Sequence, residues 1–257
     1  MILRSLETAP PASPEFVPAW PVVERSQRQV RDGCWLITQP SHAALSGEFA
    51  AKMNGPQLPQ LDAAIVRAIA MHDAGWGAPD AQAIMQSRSD RQGCPKSFIA
   101  CSVKDFVAAW EKSIEMAEAA SSPAGGYMVS RHFCRIAEQN VGLLPETDRQ
   151  IAAAFLEQEA ARQKQLAAPQ DRSIETLEQL TDVLQFCDLL SLYVCCGARE
   201  NVEFPAYFGV KVRLTTEDNG YKLEPAVIEP GTTFQVAALR HPASKEISGR
   251  EMAVRIL

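Results

Sequence analysis

Residues 61–76 read LDAAIVRAIAMHDAGW. Leu61, Ile65, Ala68, Ile69 and His72 recur at steps of three and four, which places them on one face of an amphipathic helix. The helix ends on the adjacent pair His72-Asp73, followed by Gly75 and Trp76. An imidazole at the end of an apolar stripe needs a partner, because burying a polar group unpaired is costly. Neighbours on a helix point about 100° apart, so His72 and Asp73 can meet one cation, the first from the side and the second from the helix terminus.

The same period runs outward from this stretch over roughly residues 41 to 200. Helix 41–53 carries His42, Leu45, Phe49 and Met53; helix 103–120 carries Val103, Phe106, Val107, Trp110 and Ile114. Helix 124–139 carries Met128, His132 and Ile136, helix 146–166 is polar on one side, and helix 173–195 carries Leu177, Leu180, Leu184, Asp188 and Ser191. Segment 74–102 is rich in Gly, Pro, Ser and Asp and reads as a long loop that would wall a pocket. Before the helices, Val22-Val23, Arg28 to Val30, the turn Arg31-Asp32-Gly33 and the run from Cys34 to Ile37 predict a hairpin over 22–38. After Gly197, Val210, Val212 and Leu214 alternate with Lys211, Arg213 and Thr215. Turns at Glu217-Asp218-Asn219-Gly220 and Pro230-Gly231 precede further alternation at Phe234, Val236, Met252, Val254 and Ile256. The expected fold is mainly α, a helical bundle with a small antiparallel β-region from the C-terminus that the N-terminal hairpin can join. Its expected divisions are an irregular lead-in over 1–20, a helical metal-binding domain over 21–200, and the β-region over 201–257 packed on the same domain.

Composition narrows the class. At 257 residues, 46% hydrophobic and 22% charged, the chain has the make-up of an ordinary globular protein. A net charge of −6 with no long Lys/Arg run argues against nucleic acid or an anionic membrane as partner. No apolar run approaches the roughly 18 residues of a membrane helix, and MILRSLETAPPASPEF lacks the hydrophobic centre of a secretion signal. The seven cysteines (34, 94, 101, 134, 187, 195 and 196) form no CxxC pair. They are expected to be reduced, buried thiols of a cytoplasmic protein rather than zinc ligands.

Chemistry concentrates in a few polar residues on apolar stripes. His42, His72, His132 and Asp188 interrupt such stripes on four separate helices, and Asp73 adjoins one of them. Taken singly, each histidine also fits a hydrogen-bonded core residue, and Asp73 fits a cap. Asp188 is harder to explain alone, since no Lys or Arg of its helix falls on its face and a buried carboxylate is costly without a counter-charge. Convergence on one divalent metal (Zn, Mn, Fe, Ni, Co or Mg) accounts for all five together. On this reading Asp188 is poorly compensated when no metal is present. Around them, Trp76 could stack a planar group or pack as a lid, and Asp80 could act as a base or cap a helix. Lys96 and Arg131 could contact an anion or be solvated surface charges. Ser46-Gly47 reads as close helix packing, and His241, beside Pro242, as a surface residue. No phosphate-binding glycine loop and no GxSxG elbow occurs.

The stretches Gln39-Pro40-Ser41-His42-Ala43, Leu45-Ser46-Gly47, His72-Asp73-Ala74-Gly75-Trp76, Ser130-Arg131-His132 and Cys187-Asp188-Leu189-Leu190-Ser191-Leu192 are similar to a bacterial family of unknown function placed in the HD-domain superfamily. The order His42, His72-Asp73, Asp188 resembles that superfamily's ligand order, and the likeness covers roughly residues 28 to 257. It implies an HD-type helical bundle, most members of which are metal-dependent phosphohydrolases. The implied ligands are His42, His72, Asp73 and Asp188, with His132 matching an extra histidine that serves a second metal or the phosphate in some members. Under this resemblance the expected activity is hydrolysis of a small phosphorylated metabolite or nucleotide by a metal-activated water. Asp73, Asp80 and His132 are the expected catalytic residues, and Trp76, Lys96 and Arg131 the expected substrate contacts. The sequence departs from many members at Trp76, where a lysine is usual. The alternatives are a non-catalytic metal-binding or ligand-sensing protein and, with less support from four histidines, a metal-dependent oxygenase. A homo-oligomer is compatible with either.

Overall fold

The computed structural model describes residues 1–7, 13–30, 33–90, 94–169, 171–242 and 249–257. Among the described residues, eight α-helices follow the strand pieces of the N-terminus: α1 Ala19–Gln29, α2 Gln39–Ala51, α3 Ala63–Met71, α4 Gly77–Asp90, α5 Val103–Ala120, α6 Pro123–Asn140, α7 Glu146–Ala167 and α8 Ile174–Cys196. The strands are β1 Ile2–Ser5, β2 Val17–Pro18, β3 Cys34–Ile37, β4 Val202–Glu203, β5 Arg213–Glu217, β6 Gly220–Glu224, β7 Thr233–His241 and β8 Gly249–Arg255. The protein is mainly α with a β-region, as its patterning predicts.

α8 forms the axis of the core. Leu177, Leu180, Val183, Leu184, Phe186, Leu190, Tyr193 and Val194 are all fully buried, and the helix packs on α1, α2 and α6. Its ends are set locally: the Ser173 hydroxyl accepts the Thr176 N–H at 3.2 Å, and Gly197 closes the C-terminus at φ 70°, a conformation that suits glycine. Helix boundaries elsewhere fall close to those read from sequence, because Thr38, Asp62, Ser102 and Ser122 each cap the helix that follows.

Two sheets flank the bundle. One has the order β1-β3-β7-β8 and is antiparallel throughout; the other, β2-β4-β5-β6, is antiparallel except for the parallel pair β2 and β4. β3 therefore joins the C-terminal strands, with Leu36 opposite Leu239. The hairpin over 22–38 does not form. Ala19, Val22, Val23 and Gln27 are buried at helical spacing in α1, and Pro21 falls in its first turn, where no N–H is needed. Gln27 then binds β1 through both amide atoms, accepting the Leu3 N–H at 2.9 Å and donating to the Leu3 carbonyl at 2.8 Å. Arg31 and Asp32 of the expected turn lie outside the described residues.

Segment 74–102 is not a long loop. A 3-10 turn, Ala74–Trp76, runs into α4, and a second turn covers Phe98–Ala100. α4 lies on the surface and buries only Asp80 among its described residues, so it has no apolar stripe to betray its period. Two further expectations are corrected. Cys34 and Cys94 form a disulfide, a pairing across 60 residues that no spacing rule reveals; Cys101, Cys134, Cys187, Cys195 and Cys196 are free. His241 is buried, opposite Cys34 in the β3–β7 ladder. No helix among the described residues is long and apolar enough to cross a membrane.

Candidate metal centre

α2, α3, α6 and α8 bring five side chains together where the sequence interrupts its apolar stripes. His42 and His72 are fully buried, Asp73 and His132 nearly so, and the Asp188 side chain keeps 14% of its surface, which makes its side the open one. His42 Nε2 lies 2.9 Å from Asp73 Oδ2, and His72 Nε2 lies 3.3 Å from Asp188 Oδ1 and 3.8 Å from Asp73 Oδ2. His132 Nε2 stands 3.7 Å from Asp188 Oδ2. The ligand atoms of His42, His72 and Asp73 fall within 4.8 Å of one another, as do those of His72, His132 and Asp188. His72 belongs to both groups, and its ring is edge-on to His42 and to His132, with centroids 5.2 and 5.5 Å away.

The far side of each ring is held as well. His72 Nδ1 lies 2.8 Å from the Ile69 carbonyl, which can only accept, so that nitrogen carries a proton and Nε2 is left to face the carboxylates. His42 Nδ1 lies 2.8 Å from Ser191 Oγ, which is itself 2.8 Å from Ser46 Oγ. His132 Nδ1 is buried without a partner among the described residues.

Charge follows from this geometry. Burial opposes a charged His72, but Asp73, the hydrogen-bonded Asp188 and the Ile69 carbonyl outweigh it and push its pKa up to about 9. Burial would raise Asp188, yet the His72 hydrogen bond and the surrounding imidazoles hold its carboxyl down at about 2. Burial keeps His132 neutral, at about 4. Without a metal, a His72 imidazolium therefore sits between two carboxylates, and the expectation that Asp188 lacks compensation is corrected: His72 compensates it from another helix.

This donor set fits a divalent cation. Imidazole nitrogens and carboxylate oxygens are the ligands of first-row divalent metals. A ligating histidine usually donates its other N–H to a carbonyl or similar acceptor, as His72 does. A cation would replace the His72 proton as the counter-charge of both carboxylates.

The other expected site residues stand apart. Asp80 caps the start of α2, with Oδ2 accepting the Gln39 N–H at 2.6 Å and Oδ1 lying 2.8 Å from the Met1 amino group. It positions the His42 helix and is engaged at both oxygens. Trp76 is buried, edge-on to Phe106. Lys96 is exposed on the stretch before Phe98, whose N–H bonds to the Met1 carbonyl. Arg131 turns from His132 to the outer seam of α6 and α8, where it meets Glu138 and Glu178. The wide cleft of about 590 Å³ is lined by Ala50, Met53, Leu58, Val66, Arg67 and Ala70 among others, with none of the five cluster residues in its wall.

Three residues that the sequence did not single out belong to the surroundings. Ser46 and Ser191 hold His42, although Ser46 reads as a packing residue and Ser191 as one more stripe position. Arg135, one turn beyond His132, bonds Glu178, Asp182 and Gln185, each at 2.6 Å, and ties α6 to α8. An arginine three residues after a candidate ligand was the available signal.

The sequence matches the family model described as Protein of unknown function (DUF3891) over residues 27–235. Comparison with curated proteins and with solved structures finds no match.

Proposed function

The chain belongs to this family of unknown function, and from the geometry of the centre we propose a metal-dependent hydrolase with an HD-like site. One observation carries the reading: two Nε2 atoms and two carboxylates converge in a buried cluster while His72 Nδ1 is committed to a backbone carbonyl. The order of the ligands along the chain, His42, His72-Asp73 and Asp188, supports the likeness to the HD superfamily.

When bound there, a divalent metal would lower the pKa of a coordinated water and polarise a phosphoryl oxygen. The chain's own residues would do the rest. His42, His72, Asp73 and Asp188 would hold the cation, and the buried apolar residues of α2, α3 and α8 around them would keep bulk water away. Asp73 points Oδ2 at both imidazoles, which leaves Oδ1 to take a proton from the attacking water. His132, neutral and at the open side beside Asp188, is placed to hydrogen-bond a substrate oxygen. The proposed substrate is a small phosphate ester. Asp80, Lys96, Trp76 and Arg131 have no part in this arrangement, because each is engaged or exposed elsewhere.

A second reading, metal binding without turnover, is favoured by the pairing of Arg131 and Arg135 with acidic partners, which takes both cations of that seam away from a phosphate. A screen of p-nitrophenyl phosphate and bis(p-nitrophenyl) phosphate with Mg, Mn, Fe, Co, Ni and Zn separates the two. The hydrolase reading expects turnover that depends on one of these metals and is lost in Asp188→Asn. Metal binding without turnover of either ester supports the second reading.

A further inference from the structure

Ser46 and Ser191 are fully buried, and each sits one turn along its helix from a proposed ligand: Ser46 after His42 on α2, Ser191 after Asp188 on α8. Their hydroxyls meet at 2.8 Å and bridge the two helices. Ser191 Oγ lies 2.8 Å from His42 Nδ1 and 2.8 Å from the Asp188 carbonyl. Ser46 reaches that oxygen as a donor, with the His42 and Cys187 carbonyls at 3.0 and 3.3 Å as its other acceptors.

For a neutral His42 ring, counting protons leaves two complete arrangements. Ser191 has one hydroxyl proton and two acceptors for it. If it donates to His42 Nδ1, the neutral ring carries its proton on Nε2 and donates to Asp73 Oδ2 at 2.9 Å. If it donates to the Asp188 carbonyl, Nδ1 must carry the proton and donate to Ser191 Oγ, and Nε2 presents a lone pair. The second arrangement without a cation would set that lone pair against a carboxylate oxygen. The first arrangement would deny the nitrogen to a metal. A group that both donates and accepts serves both states; a backbone carbonyl, as at His72, serves only one.

We propose that Ser191 is a rotor that decides which nitrogen of His42 carries the proton, so that His42 bonds Asp73 in the metal-free protein and ligates through Nε2 when metal is bound. Loading removes one proton at Nε2 and adds one at Nδ1. The ring stays neutral, and Ser191 keeps its own proton and turns it to the Asp188 carbonyl. Ser191 is thus a positioning residue, and Ser46 steadies its oxygen. The inference rests on the metal-binding part of the proposed function and is independent of turnover.

The test is nitrogen NMR of the histidine rings in the full chain, with His42 assigned by the loss of its signals in His42→Gln, in chelator and with Zn2+ alone. His42 should be protonated at Nε2 in chelator and at Nδ1 with zinc. Zinc affinity should fall about 10–100-fold in Ser191→Ala, the usual effect of removing a group that orients a ligand, and clearly less in Ser46→Ala. A proton on Nδ1 in both states, whether or not Nε2 also carries one in chelator, overturns the rotor and leaves the metal reading standing, as does equal zinc affinity in Ser191→Ala and wild type. An equal loss in Ser46→Ala also overturns it, since that would mark a packing effect. If Ser191→Ala does not fold, the wild-type spectra decide. A wild type that takes up no zinc overturns both the rotor and the metal reading.

Discussion

His72 sets the charge of the centre. Its pKa, raised from 6.5 to about 9, means that its pairing stabilises the metal-free fold fully below about pH 6.5 and is lost as the pH rises through about 9. Thermal melts in chelator should therefore show Tm falling across that window. The fall should vanish with metal bound, because a ligated His72 carries no Nε2 proton to lose; a flat profile in chelator would count against the pairing. Asp188→Asn makes the partner case. It should weaken metal binding and, in chelator, cost about 1.5–3 kcal/mol, the range for a hydrogen bond to a charged group. Urea midpoints with and without chelator measure both effects, and an unchanged metal-free stability would remove Asp188 from the His72 pair. The five cluster residues were legible in sequence because each is polar or charged at or beside an apolar stripe. The compensation of Asp188 by His72 was not, since it comes from a helix 116 residues away. Ser46 and Ser191 stayed hidden for the same reason, 145 residues apart and ordinary in composition.

At the scale of elements, placement of the His72-Asp73 pair depends on how tightly the turn Ala74–Trp76 docks on α5. The Gly75 N–H donates to Ser113 Oγ at 2.9 Å, and a Cβ on Gly75 would come 2.1 Å from the Ala109 carbonyl and 2.8 Å from the Ser113 nitrogen. Both are backbone atoms of a helix and cannot yield. Gly75→Ala should thus lose about 1–3 kcal/mol, the usual cost of overpacking, and also lower zinc affinity, because Asp73 must move with the turn. A variant as stable and as metal-competent as wild type would show that the turn does not position Asp73. Helices with an apolar stripe were readable to within a few residues. α1 was missed because Val22-Val23 and a downstream Asp-Gly suggested strands, while the buried Gln27 completed a helical period that polarity disguised. α4 was missed because it buries so little.

For the whole molecule, the chain ends interlock. β3 lies between β1 and β7, and Val202, Phe204, Val212, Leu214 and Val227 are buried in the same core as α8. A chain ending at residue 200 should therefore fail to fold stably, since it strips β3 of a neighbour and bares that face of α8; a truncated protein with a cooperative melt near that of the full chain would contradict this. The mainly helical class and the C-terminal β-region were legible from periodicity. The union of the two ends through β3 was not, because strand pairing across some 200 residues leaves no local trace. Anomalous diffraction at the zinc edge, from crystals of zinc-loaded protein, decides whether His42, His72, Asp73 and Asp188 hold one divalent metal. A peak is expected inside the cluster, with both Nε2 atoms and an oxygen of each carboxylate about 2.0–2.2 Å away. An anomalous map without density among those four residues, or with zinc only at surface positions, would contradict it.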